Sequence, residues 1–123
     1  MLNYRETVVG RGALTAIAET MAQFHNVCKI SDIPGGEARM FVVEETMIGV
    51  YHLDGDFFAL SDHCPHAGAS LAHGYVEGDV VRCRIHHWRF CIRNGVYLDE
   101  EQPAFNVQTF SVRVVGEQVQ VEI

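Results

Sequence analysis

The chain has 123 residues, 48% of them apolar and 20% charged, a composition that suits one soluble globular domain with its own core and leaves too little chain for two. Sixteen acidic against nine basic side chains give a formal charge of -7, a field that repels polyanions and argues against a nucleic-acid partner. No stretch approaches the roughly 20 apolar residues of a membrane helix, so neither a membrane span nor long disorder is expected.

Residues 1–23 read as an extension preceding a domain over 24–123. Arg5 and Arg11 flank the start of a short apolar run over 12–18, but Glu19 interrupts it and no clear small-x-small cleavage site follows. A cytoplasmic location is therefore expected rather than export. Leu14, Ile17, Ala18 and Met21 recur at helical spacing, with Thr15, Glu19, Thr20 and Gln23 on the other face. That pattern predicts a short amphipathic helix, whose apolar stripe packs on its own domain or docks on a partner.

From Phe24 onward the signals are those of a small all-β domain, because short β-branched or aromatic runs alternate with glycine-containing turns. Strands are expected over 24–30, 37–44, 46–53 and 56–61. Asp54-Gly55 is a two-residue hairpin turn that needs positive φ at both central positions. Residues 62–75, rich in His, Gly and Ala without a period, read as a loop. Short strands follow over 80–82, 88–93 and 96–98, the last two joined at Asn94-Gly95. A closing hairpin over 110–115 and 118–123 turns at Gly116-Glu117.

The unusual residues sit in two loops, His63-Cys64-Pro65-His66 and Cys83-Arg84-Ile85-His86-His87, with sixteen residues between His66 and Cys83. Each loop offers one thiolate and one imidazole, so the pair can clamp a metal site from opposite sides; Cys28 and Cys91 then remain as free thiols, which suit a reducing compartment. A single zinc accepts two Cys and two His, but zinc fingers put a Cys pair on one knuckle and a His pair on a helix. Here the pairs are mixed. Cys-x-His with Cys-x-x-His lets both thiolates reach one iron and both imidazoles a second. An oxidised [2Fe-2S] core of about +2 is then brought to about zero rather than the -2 that four thiolates would give, which eases reduction.

These residues resemble the Rieske family, and small bacterial Rieske-type ferredoxins in particular. The likeness runs from Phe24 to the last hairpin. It includes Val27-Cys28-Lys29-Ile30, Asp32-Ile33-Pro34-Gly35-Gly36-Glu37, Cys64-Pro65-His66-Ala67-Gly68-Ala69-Ser70-Leu71, and Cys83 with His86 followed by Trp88-Arg89-Phe90 and Asn94-Gly95. The resemblance implies a small β-sandwich or barrel with a cluster-binding subdomain at its tip. It also implies one Rieske-type [2Fe-2S] cluster per chain, with Cys64, His66, Cys83 and His86 as ligands. The chain departs from the usual pattern at Arg84, where Pro is common, and at His87, where Gly is common. His87 adjoins His86 and competes with it as a ligand on residue type alone, and Trp88 and Phe90 serve either as electron conduits or as packing beside the cluster. His63 and His73 read as solvated loop histidines. Arg82, Arg84, Arg89 and Arg93 crowd the second loop, as solvated charges or as a locally basic face.

By resemblance, the two cysteines that bridge the ligand loops in high-potential Rieske proteins correspond to Ala69 and Ile85. The Ser and Tyr hydroxyls near their cluster correspond to Trp88 and Phe90. The expected role is electron transfer rather than stand-alone catalysis, because the chain has no room for the mononuclear-iron domain of Rieske oxygenases. A flavin-dependent reductase would supply the electron, and a terminal oxygenase or reductase would accept it. Two alternatives share the pattern: the small subunit of a cytoplasmic NAD(P)H nitrite reductase, and a zinc-binding interaction module.

Overall fold

In the computed structural model, residues 23–66 and 68–123 are described. The helix expected after Gly12 lies outside the described residues. The described chain forms ten short strands: β1 (Phe24–Lys29), β2 (Ala38–Val43), β3 (Thr46–Leu53), β4 (Asp56–Ser61), β5 (Tyr75–Glu77), β6 (Val80–Arg82), β7 (Arg89–Cys91), β8 (Thr109–Phe110), β9 (Val112–Val115) and β10 (Gln118–Glu122). They make three antiparallel sheets, in the orders β1-β10-β9, β2-β3-β4-β8 and β5-β6-β7. The all-β expectation holds for the described residues.

The central strand explains how two cores form around one sheet. In β3, Ile48, Val50, Tyr51 and Leu53 are all buried, so the strand reads as a nearly continuous apolar run rather than an alternation. Ile48 and Val50 face one core with Ile33, Phe57, Ala59, Val119 and Val121. Tyr51 and Leu53 face the other, with Leu60, Leu71, Val81, Phe90, Ile92 and Tyr97, and that second core also holds Cys64 and Cys83. The β2-β3-β4-β8 sheet thus lies between the closing β1-β10-β9 sheet and the small β5-β6-β7 subdomain.

Turn chemistry accounts for most of the agreement and the misses. Asp54 and Gly55 have φ of 52° and 85°, the geometry their type predicts. Glu44 and Glu45 adopt the same geometry, φ 51° and 67°, with no glycine, so β2 stops at Val43 where the sequence predicts Glu44. The strand expected over 96–98 does not form. The Gly95 N–H bonds back to the Cys91 carbonyl and only Tyr97 bridges to Phe90, which leaves β7 three residues long. The strand expected over 110–115 divides at Ser111: Phe110 pairs with β4, whereas Val112 pairs with β10. β5 was not expected; three residues are too few to show a period.

One close approach ties the two loops together. A Cβ on Gly74 would lie 2.3 Å from the Arg82 carbonyl oxygen, so only glycine lets the end of the first loop rest against the strand that leads into Cys83.

Candidate metal centre

The first loop leaves β4 at Asp62 and is held at both ends by that residue. Asp62 is the buried charged residue of the core, 1% exposed. Its carboxyl accepts the Ala72 N–H at 2.6 Å and the Ser70 hydroxyl. Gly49 makes the space: a Cβ there would stand 3.0 Å from Asp62 Oδ1 and 3.2 Å from Tyr51 Cε1. Inside the loop the Cys64 N–H bonds to the Ala69 carbonyl at 2.9 Å, and the Gly68 N–H returns to the Cys64 carbonyl at 2.7 Å. This tight turn directs Cys64 into the core and leaves His66 exposed.

The second loop is the β6–β7 connection. The Cys83 N–H donates to the Trp88 carbonyl at 2.8 Å, so Arg84 to His87 form a four-residue turn. His86 and His87 both take left-handed backbone, φ 63° and 60°, which costs on the order of 1–3 kcal/mol per residue away from glycine. Cys83 is buried and His86 exposed, repeating the arrangement of the first loop.

The two loops meet as like with like. Burial pushes the Cys83 thiol above its ordinary range, a backbone N–H from Ile85 at 3.4 Å to its Sγ pulls it back, and the adjacent Cys64 sulfur pushes it up again. Two sulfurs side by side in a core cannot both ionise cheaply unless a cation lies between them. Across the exposed side, the His66 and His86 rings stand 4.5 Å apart, with His86 Nδ1 3.1 Å from His66 Nε2. The four predicted ligands thus come together as a buried thiol pair and an exposed imidazole pair. Among the described residues no group of three or more such side chains closes on one point as a single ion would need. A two-iron cluster with both thiolates on one iron and both imidazoles on the other fits this donor set.

The other candidates fall elsewhere. Cys28 belongs to the opposite core, where burial and then Asp32 push its thiol up to about 11, so it stays protonated at neutral pH. Cys91 is partly exposed on β7, and all four cysteines are free. His63 and His73 are exposed. His87 turns away from the imidazole pair, with its Nδ1 2.7 Å from Arg82. Trp88 stacks on His66 at 4.4 Å and 22°, and continues into Tyr97 and Phe105 at 4.6 and 5.1 Å; Phe90 is fully buried core. The stacking on His66 was not legible in sequence, since strand spacing does not say which ring a Trp will cover. Of the four arginines, Arg82 pairs with Glu77, Arg89 with Asp99, and Arg93 with Asp54 and Asp79. Three of the four thus lie beside carboxylates, while Arg84 is exposed on the second loop.

Fold and site together describe a small β protein that presents a buried thiol pair and an exposed imidazole pair from two neighbouring loops, a donor set of the kind a two-metal cluster takes. The Rieske [2Fe-2S] domain family matches residues 23–119. The biphenyl dioxygenase ferredoxin subunit of Pseudomonas sp. strain KKS102 is 33% identical over 100 residues, covering 80% of this chain and 91% of that protein. A chain from the complex of reduced oxygenase and oxidized ferredoxin in carbazole 1,9a-dioxygenase superposes with a TM-score of 0.71 at 30% identity, over 80% of this chain and 91% of that one. A structure described as an NADH-dependent nitrite reductase small subunit from Mycobacterium tuberculosis gives 0.75 at 21% identity, over 84% and 96%, a likeness of fold alone. The chain belongs to the Rieske [2Fe-2S] family, and its cofactor is a [2Fe-2S] cluster. No helix among the described residues is long and apolar enough to cross a membrane.

Proposed function

We propose that this chain is a soluble, cytoplasmic one-electron carrier, with Cys64 and Cys83 on one iron of its cluster and His66 and His86 on the other. It takes electrons from a flavin-dependent reductase and gives them to a terminal oxygenase. The observation that carries the reading is the sorting of donors by burial, thiols inside and imidazoles outside. When bound, the cluster stores and releases a single electron. The core around Cys64 and Cys83 keeps water from the sulfurs, while the exposed edges of His66 and His86 bring the redox centre within reach of a partner. The kinship with dioxygenase ferredoxin subunits supports the oxygenase as acceptor.

Metal and sulfide analysis of anaerobically purified protein tests the reading, with two irons and two acid-labile sulfides per chain expected. Stoichiometric zinc without sulfide would instead establish the interaction module. Co-purification with a large sirohaem protein would favour the nitrite reductase subunit.

The potential follows from which groups approach the sulfurs. Trp88 and Phe90 bring no hydroxyl to the place where the high-potential proteins have one, and the backbone N–H of Ile85 stands 3.4 Å from Cys83 Sγ. Fewer donors stabilise the reduced state less, so the midpoint should lie toward the lower end of roughly -150 to +300 mV. Protein-film voltammetry at pH 7 checks this. A value above about +100 mV, well up that range, would contradict both the missing-hydroxyl argument and reduction by a nicotinamide-linked flavin.

A further inference from the structure

We infer that Arg82 is a positioning residue: it holds His87 in left-handed backbone and so fixes the direction in which His86 leaves the second loop. The inference rests on the proposed ligand role of His86. Two consecutive residues with side chains, His86 and His87, occupy the positive-φ region at the turn, where only glycine sits without cost. The described residues hold one other such pair, Glu44-Glu45, in an exposed hairpin turn that presents no candidate ligand.

At His87 the side chain supplies what the backbone lacks. One guanidinium nitrogen of Arg82 donates to His87 Nδ1 at 2.7 Å, and the other donates to Glu77 Oε2 at 2.7 Å. Accepting from an arginine requires a bare Nδ1, which puts the His87 proton on Nε2. Besides His87, Arg82 is held by two residues of β5, Glu77 and Tyr75. It faces Tyr75 across the β5–β6 ladder, its guanidinium lies 4.5 Å over that ring, and Tyr75 in turn stacks 6.3 Å from the His87 ring. Tyr75, Glu77 and Arg82 therefore form a linked frame on the small sheet, and the turn hangs from it through His87. His86 immediately precedes that anchor and shares its unusual backbone, so a turn that relaxes at residue 87 re-aims His86 away from His66.

A double-mutant cycle on the cluster-loaded protein tests this, reading the lifetime of the visible spectrum at fixed temperature and the electron paramagnetic resonance of the reduced cluster. Arg82→Met should shorten the lifetime about fivefold and shift or broaden the resonance, because the strain at His87 is no longer offset. His87→Gly should stay within about twofold of the wild type, since glycine adopts the turn unaided. In the His87→Gly background, Arg82→Met should change the lifetime by less than about twofold. Where Arg82→Met does not fold, Arg82→Lys goes through the same cycle. Equal effects of the Arg82 substitution with His or Gly at 87, or an unchanged resonance in Arg82→Met, would overturn the inference. A His86→Ala control separates the two levels. If it retains both irons and the wild-type resonance, the ligand assignment fails; if it loses them while the cycle is additive, the positioning role alone fails.

Discussion

Replacing Cys64 or Cys83 with serine is expected to strip iron from the protein and lower its thermal midpoint by at least about 15 °C, while Cys28→Ser and Cys91→Ser leave the visible spectrum intact. The asymmetry follows from place rather than residue type. Cys64 and Cys83 are fully buried in the core shared by the two loops, and their sulfurs adjoin; a serine oxygen is a poorer donor to iron and a polar atom left in an apolar pocket. Metal binding free energy is folding free energy where the ligand loops have little else to order them. The loops here are ordered only in part without metal, by Asp62 and by three strands of three residues each (β5, β6 and β7), so bound metal adds to their stability. Cys28 sits in the opposite core and Cys91 on the outer side of β7, so neither touches the site. Iron content and far-ultraviolet melting of the four variants check the prediction. A bleached Cys91→Ser protein would show the ligand assignment to be wrong.

What the sequence made legible was whatever is written in residue type at short range. The Asp54-Gly55 turn, β3 and β4 were readable because turn chemistry and apolar runs are local signals. The mixed Cys-His spacing was readable because few other chemistries want it. What was not legible depends on the third dimension. The division at Ser111 arises because Phe110 pairs with β4 and Val112 with β10, a choice between sheets that alternation cannot express. Glu44-Glu45 takes a glycine's backbone without glycine because β2 and β3 pair without a break from Ala38 to Val43, and the ladder imposes the turn. The partition of thiols inward and imidazoles outward, and the stacking of Trp88 on His66, needed both loops in place.

Asp62 offers a sharper test of how the β scaffold aims the first loop. Asp62→Ala should destabilise the protein by about 3 kcal/mol, because hydrogen bonds to a charged group contribute about 1.5–3 kcal/mol each and a buried donor left unmade costs about 1–3. The Ala72 N–H is that donor: it bonds to Asp62 Oδ1 in the interior. Asp62→Asn should lose far less, about 1 kcal/mol. Its amide oxygen can still accept from Ala72 while its NH2 donates to a Ser70 hydroxyl that turns round to accept. Ser70→Ala should resemble Asp62→Asn, since it removes one partner and leaves the backbone bond in place. Tyr51 would register the change, for its buried hydroxyl has no hydrogen-bond partner among the described residues, and burial followed by the Asp62 charge pushes its pKa up. Thermal midpoints followed together in the visible and far-ultraviolet decide the matter, with Asp62→Ala lower than the wild type by about 10–20 °C for a domain of this size. Equal midpoints for Asp62→Ala and Asp62→Asn would mean that the carboxyl fills space in the core rather than anchoring the loop that carries Cys64 and His66.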